Sequence, residues 1–287
     1  MVQAGPWSVW LWRRATWPAL TDFRLSLRQR FMRQLCRPDE IDLLRFESLG
    51  ENCEFGFLLS RHQNGSGGFF RWAFTPLHSL INILSSDFEG VYALDQLKPR
   101  FGAMVQDMRY DILFHSRLRS EQQTDGSFEF IASAADRQQI HANEQEKVDY
   151  LVAKFRRRLS EERLILVLKA AAPPTAKRLR QLLVLLRPAL RQRGSTLLLV
   201  TPAASDQRPG KVRRLGPHLL HGTVAFMPPG ESADALDYKH WEEILKHAYF
   251  LAFFPKRYAL TWVVLATLGR CGISGLEGWW EQPMRPL

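Results

Sequence analysis

The chain has 287 residues, of which 46% are hydrophobic and 24% charged, and its formal net charge is +10. This composition argues against wholesale disorder and allows a sizeable core. Three widely spaced cysteines argue against a disulfide-based secreted scaffold and against a structural zinc site. We therefore expect reduced thiols and no metal. The positive charge favours an anionic surface or a phosphorylated partner, although no specific nucleic-acid motif is present.

The two ends of the chain predict no membrane-spanning segment. Residues 1–40 are rich in tryptophan and arginine and are interpreted as a basic arm. The hydrophobic run at 6–12 precedes Arg13 and Arg14 instead of following them, which is the wrong order for a secretory signal. The run at 258–268 is too short to span a bilayer. We expect a cytoplasmic protein, with peripheral contact between the arm and a membrane as the alternative.

The first half of the chain alternates predicted helices and short strands. Gly50 predicts a turn, and Asn52 predicts the cap of a helix over 53–62. An extended segment follows at 69–74, and then Thr75 and Pro76 begin an amphipathic helix, with Thr75 as its cap. Further strands are predicted at 103–105, 110–115 and 128–131.

The second half predicts a parallel βαβ unit. A helical stripe over 148–159 leads to an apolar strand at 164–168, and a second apolar strand follows at 196–200. The helix between them begins near Thr175 and is kinked near Pro188. A polar loop at 202–217, a strand at 224–227 and a helix at 237–248 complete the pattern.

These elements predict an α/β fold with a mixed sheet and helices on both faces. We expect the βαβ unit to share one sheet system with the strand at 110–115. A single domain over 41–250 would then carry the chemistry, and residues 251–287 have no assignable role. The alternative is a separate C-terminal domain that is joined near residues 134–146.

Cys53 is the most chemically suggestive residue. At a helix N-terminus, unpaired amides and the helix dipole stabilise a thiolate and can also hold an oxyanion. Ser48 and Asn52 could add donors there. The alternative is that Cys53 is a small buried hydrophobic residue, which is the commoner role of a lone cysteine among phenylalanines and leucines.

His115 is the candidate base, because it ends a predicted strand on a face that can be polar. Asp125, in a turn before the next strand, is the candidate that orients the imidazole. Asp111 shares the face of His115 but lies about 13 Å away along an extended strand. The alternatives are a structural role for His115 or another histidine as base, among them His62, His78 and His141.

The segment from Phe46 to Gly56, with Phe70 to Ala73 after it, resembles a bacterial family of uncharacterised proteins described as papain-like cysteine peptidases. The hallmark Ser-Leu-Gly-x-x-Cys is matched from Ser48 to Cys53, and a Tyr-x-x-x-x-His strand from Tyr110 to His115. The similarity covers about residues 44–118, with a weaker echo at 164–169 and in the helix of Asp237 and Trp241. The resemblance implies a papain-like helix with Cys53 as nucleophile and His115 as base.

Three functions follow from this pattern. The first is a Cys/His hydrolase or acyl-transferase that acts on a peptide, amide or thioester bond. Against it stands Glu47, at the position where papains carry an oxyanion glutamine, because a carboxylate repels an oxyanion. The second, which the family's frequent proximity to polysaccharide functions implies, is a non-catalytic accessory protein of cell-surface polysaccharide assembly. The third, a nucleotide-sugar transferase, lacks a glycine-rich phosphate loop at 164–175, and no cofactor is expected.

Overall fold

Three β-sheets and six α-helices organise the residues that the computed structural model describes, which are 41–51, 53–225 and 236–254. The strands are β1 (Phe46–Ser48), β2 (Ala73–Phe74), β3 (Leu97–Pro99), β4 (Met104–Asp107), β5 (Ile112–His115), β6 (Ser120–Gln122), β7 (Phe128–Phe130), β8 (Ile165–Lys169), β9 (Thr196–Pro202), β10 (Val212–Gly216) and β11 (Leu219–Val224). The helices are α1 (Glu54–Arg61), α2 (Leu77–Ser85), α3 (Ala134–Glu161), α4 (Ala176–Leu185), α5 (Arg187–Gln192) and α6 (Tyr238–Phe253).

The largest sheet has the strand order β1-β8-β9-β11-β10. Its first four strands are parallel, and β10 pairs with β11 in the antiparallel direction. The predicted parallel βαβ unit is confirmed, because α4 and α5 connect β8 to its neighbour β9. The helical connection is interrupted at Leu186, and Pro188 lies in the first turn of α5, where a proline is tolerated.

The core of this unit lies on both faces of the large sheet. Along β8, Ile165 and Val167 join a cluster with α1 and α6, whereas Leu166 and Leu168 join the cluster on the opposite face. Buried side chains on both faces explain why β8 and β9 read as continuous apolar runs. The structure is therefore α/β with a mixed sheet and helices on both faces, as predicted.

A second, antiparallel sheet has the order β2-β5-β4-β3. The prediction that the strand at 110–115 shares a sheet with the βαβ unit is therefore wrong. The partner of β8 is β1, which is buried on both faces, whereas β5 exposes His115 on one face. Both faces of a parallel sheet are covered by packed elements, which suits β1, the edge strand of this sheet, and does not suit β5. The two sheets nevertheless share one cluster, in which Ile112 and Leu166 both lie, so the antiparallel sheet and the βαβ unit do not have separate cores.

Several boundaries differ from the predicted ones. The cap of α2 is Pro76 and not Thr75, whose buried hydroxyl has no hydrogen-bond partner among the described residues. Strand β10 lies within the predicted loop 202–217, β11 ends where the predicted strand 224–227 begins, and α6 crosses the predicted boundary at 250. The basic arm and residues after 254 lie outside the described residues. Among the described helices, none has the length and hydrophobicity needed to cross a membrane.

Candidate functional site

Cys53 occupies the N-terminal cap of α1, just after the turn that leaves β1. The turn needs Gly50, which has φ +94° and lies so close to Thr75 that an added Cβ would come within 2.9 Å of the Thr75 Cβ. The carbonyl of Cys53 accepts the Phe57 amide at 3.0 Å, and the helix begins at Glu54, one residue after the predicted start. Asn52, the predicted cap and donor, lies outside the described residues.

His115 ends β5, and its Nε2 lies 3.6 Å from the Sγ of Cys53. The two residues are 62 positions apart in the chain, and α1 and the antiparallel sheet bring them together. The imidazole is exposed, whereas the Cys53 side chain is 0% exposed. The structure thus places Cys53 and His115, which were predicted to pair, within the distance that a thiol and its base require.

An apolar surface borders His115 on the outer face of the antiparallel sheet. Phe74 pairs with Leu113, which lies on the same face of β5 as His115. The ring of Trp72, two residues before Phe74, makes an edge contact with Phe57 of α1 at 5.2 Å. Trp72 and Phe74 are 37% and 38% exposed, so large apolar side chains are accessible next to the Cys53–His115 pair.

A buried ionic anchor follows Cys53 directly. The Glu54 carboxylate forms an ion pair with Lys169 at the end of β8, and it also accepts the indole N–H of Trp241 at 2.7 Å. All three side chains are buried. The sequence patterns did not predict a role for these three residues. Lys169 ends the otherwise apolar strand β8, however, and a buried lysine needs an acidic partner. The anchor fixes the start of α1, and therefore Cys53, to the large sheet and to α6.

Ser48 is buried at the end of β1, where its hydroxyl oxygen accepts the Gly50 amide at 3.3 Å. It therefore shapes the turn that precedes Cys53. This contact uses the hydroxyl oxygen as an acceptor and does not engage its proton, so the predicted role of Ser48 as a donor to an oxyanion stays a prediction.

The assignment of Asp125 as the group that orients His115 has no geometric support. Asp125 lies at the exposed tip of the β6–β7 hairpin, where its carboxylate accepts the amide and hydroxyl of Ser127. The hydroxyl bond lowers the pKa of Asp125 below its ordinary value. An aspartate that bonds the backbone two residues ahead stabilises a turn. Asp125 therefore stabilises its own turn, and the prediction that it orients His115 is not supported.

The three alternative histidines have other partners. Their contacts are His62 with Glu242 at 3.3 Å, His78 with Asp111 at 3.1 Å, and His141 with the carbonyl of Tyr92 at 2.7 Å. His115 is the histidine that the described contacts place at Cys53.

Glu47 belongs to a separate buried cluster. Its carboxylate forms an ion pair with Arg158 of α3. Burial raises the pKa of Glu47 to about 7, against the lowering effect of Arg158 and Lys154. Gly68 leaves room for this carboxylate, since a Cβ there would lie 2.6 Å from the Glu47 Oε1. The side chain is thus held by α3, so the inferred repulsion of an oxyanion at Cys53 loses its basis.

Comparison of the chain with protein-family models, with curated proteins and with solved structures gives no match. The resemblance to papain-like proteins therefore stays an expectation.

Proposed function

We propose that the chain is a papain-like Cys/His hydrolase or acyl-transferase that acts through a Cys53 thiolate on a peptide, amide or thioester bond. The observation that carries the proposal is the 3.6 Å separation of the Cys53 Sγ and the His115 Nε2. A nucleophile within hydrogen-bond reach of its base is the geometric signature of this chemistry.

In the proposed reaction, His115 takes the thiol proton and the Cys53 sulfur attacks the substrate carbonyl carbon. The oxyanion forms next to the first amides of α1, which have no partners within the helix. The imidazolium of His115 then returns the proton to the leaving nitrogen or sulfur, and an acyl-enzyme remains on Cys53. Water or another acceptor, deprotonated by His115, attacks the acyl group and releases the thiol.

The burial of Cys53 favours a second candidate, a non-catalytic accessory protein of cell-surface polysaccharide assembly. A sulfur with 0% exposure is not accessible to a substrate unless neighbouring groups move. A cysteine sealed in this way also fits a purely structural role, in which its contact with His115 stabilises the fold. The two candidates differ in whether the folded protein reacts at Cys53.

The deciding experiment is brief alkylation of the folded protein with iodoacetamide near pH 6, followed by mass-spectrometric mapping of the three thiols. We expect preferential modification of Cys53 over Cys36 and Cys271, because a His115-paired thiolate persists where ordinary thiols are protonated. Equal labelling of all three thiols would contradict the proposal. Labelling of Cys53 only after unfolding in urea would select the accessory candidate.

Replacement of the base gives the matched control. His115→Ala should slow alkylation of Cys53 near pH 7 by roughly 10- to 30-fold, because only a few per cent of an ordinary thiol is ionised at that pH. His78→Ala removes another exposed histidine, which pairs with Asp111 instead, and should leave the rate unchanged. Equal effects of the two substitutions would show that His115 does not activate Cys53.

A further inference from the structure

The positive charge of the chain is concentrated in one segment. Between residues 170 and 220 there are ten lysines and arginines and a single acidic residue, Asp206. The segment therefore contributes most of the net charge of the whole chain, which is +10. This segment forms α4, α5, β9, β10 and most of the loops between them. A surface this unbalanced attracts anions over a distance of about one Debye length.

A groove lies within the same segment, between the two helices α4 and α5 and the turn that joins β10 to β11. Its volume is about 490 Å³. The lining combines three exposed arginines, Arg180, Arg187 and Arg191, with aliphatic side chains. Two of the aliphatic residues are themselves exposed, Val184 at 62% and Leu215 at 46%.

The groove arginines have no counter-charge of their own. None of the residues that line the groove is acidic. Within the part of the chain that the structure describes, Arg180, Arg187 and Arg191 form no ion pair, although arginines elsewhere, such as Arg156 with Asp87, do. Like charges on neighbouring turns repel one another, so an anionic partner would stabilise this surface.

We propose that this groove is the surface by which the protein binds an anionic phospholipid bilayer. In this arrangement the arginines bind lipid phosphates. The exposed side chains of Val184 and Leu215 enter the boundary between the headgroups and the acyl chains. A nucleic acid fits less well, because no phenylalanine, tyrosine or tryptophan lines the groove to stack on bases, and the ring of His218 is engaged with the Ser195 carbonyl at 3.1 Å. A free phosphate would leave both aliphatic side chains without a partner. The proposal is independent of the chemistry at Cys53.

The test is co-sedimentation of the full chain with vesicles of phosphatidylcholine, either alone or mixed with phosphatidylglycerol. We expect binding to the mixed vesicles only, and we expect it to weaken as salt is raised. The triple variant Arg180→Gln, Arg187→Gln, Arg191→Gln should lower the partition coefficient roughly 100-fold, at about fivefold for each arginine.

The matched control removes the same charge elsewhere, as Arg117→Gln, Arg119→Gln, Arg157→Gln, three arginines that are also exposed. Both triple variants keep the basic arm, so a difference between them reports on the groove. We expect the control to bind at least ten times more tightly than the groove variant. Equal losses would overturn the proposal in favour of non-specific attraction.

The contribution of the two exposed aliphatic side chains to bilayer binding is tested by the double variant Val184→Ser, Leu215→Ser, which changes no charge. A several-fold loss of binding to mixed vesicles is expected, because two side chains no longer enter the acyl boundary. Unchanged binding would overturn the assignment of a bilayer. Duplex DNA supplies the alternative anion: DNA binding that depends on the groove arginines, without vesicle binding, would also overturn it.

Discussion

The segment from Glu47 to Cys53 contains two side chains with different partners. Glu47 is buried in an ion pair, whereas Cys53 contacts His115. Glu47 and Cys53 are six positions apart. Glu47 is held by Arg158 of α3, whereas Cys53 lies 3.6 Å from His115 of β5. The turn at Gly50 separates the two environments. A carboxylate in this segment therefore does not by itself argue against a thiolate nucleophile.

Glu47 makes stability depend on pH. Because its folded-state pKa is raised from 4.5 to about 7, the folded protein binds this proton more tightly than the unfolded chain. The stability that the bound proton contributes is therefore lost as the pH rises from about 4.5 to about 7. Relative to Glu47→Gln, which does not titrate, the wild type should lose roughly 2–3 kcal/mol of unfolding free energy between pH 5 and pH 8. Urea unfolding of both proteins at the two pH values measures this difference. A difference of opposite sign would show that Arg158 outweighs burial.

At the scale of elements, the position of α1 depends on a close approach between its backbone and the chain before β2. A Cβ at Gly56 would lie 2.6 Å from the carbonyl oxygen of Arg71. The Arg71 guanidinium also donates to the Gly56 carbonyl at 3.3 Å and to the Ser60 hydroxyl at 3.0 Å. These contacts set the distance between the helix that carries Cys53 and the sheet that carries His115.

Gly56→Ala tests this approach. Helix propensity alone would make the alanine variant more stable by about 1 kcal/mol. We expect the opposite, a loss of roughly 1–3 kcal/mol, because a backbone carbonyl must move to admit the methyl group. Alkylation of Cys53 should slow as well. Gly65→Ala is the control, since nothing lies within 4 Å of an added Cβ there. A stabilised Gly56→Ala protein would refute the close packing.

At the scale of the whole molecule, the Glu54–Lys169–Trp241 anchor joins three parts of the described fold. It connects α1, the parallel strand β8 and helix α6, and their residues are distant in the sequence. A buried ion pair contributes little net stability over an apolar replacement, yet loss of one partner leaves an uncompensated buried charge. We therefore assign the anchor a positioning role for the start of α1.

Lys169→Met should destabilise the protein by roughly 3–5 kcal/mol, because it removes the cation that neutralises Glu54. Glu54→Gln with Lys169→Met should be less destabilised than Lys169→Met alone, since neither charge remains. Urea unfolding gives both values. Arg45→Met is the control, because the Arg45–Asp42 pair is about 40% exposed and should contribute at most about 1 kcal/mol. A double variant no more stable than Lys169→Met alone would contradict a direct pairing of the two charges.

The elements with a local pattern can be predicted from the amino-acid sequence. The apolar runs of β8 and β9, the helix between them and the turn before Cys53 are all visible in hydrophobic period and in glycine and proline positions. The pairing of Cys53 with His115 was predicted from the order of the two residues and from a family resemblance, and the structure places them in contact.

The pairing of strands and of buried charges depends on tertiary packing and could not be predicted from the sequence. Strand β1, of three residues, becomes the neighbour of β8, and β5 joins another sheet, although nothing in their local patterns selects these partners. Asp125 bonds its own turn, whereas Glu54 finds Lys169 115 positions away. The physical reason is that sequence patterns encode the face on which a side chain lies, while its partner across the core depends on how separate elements pack.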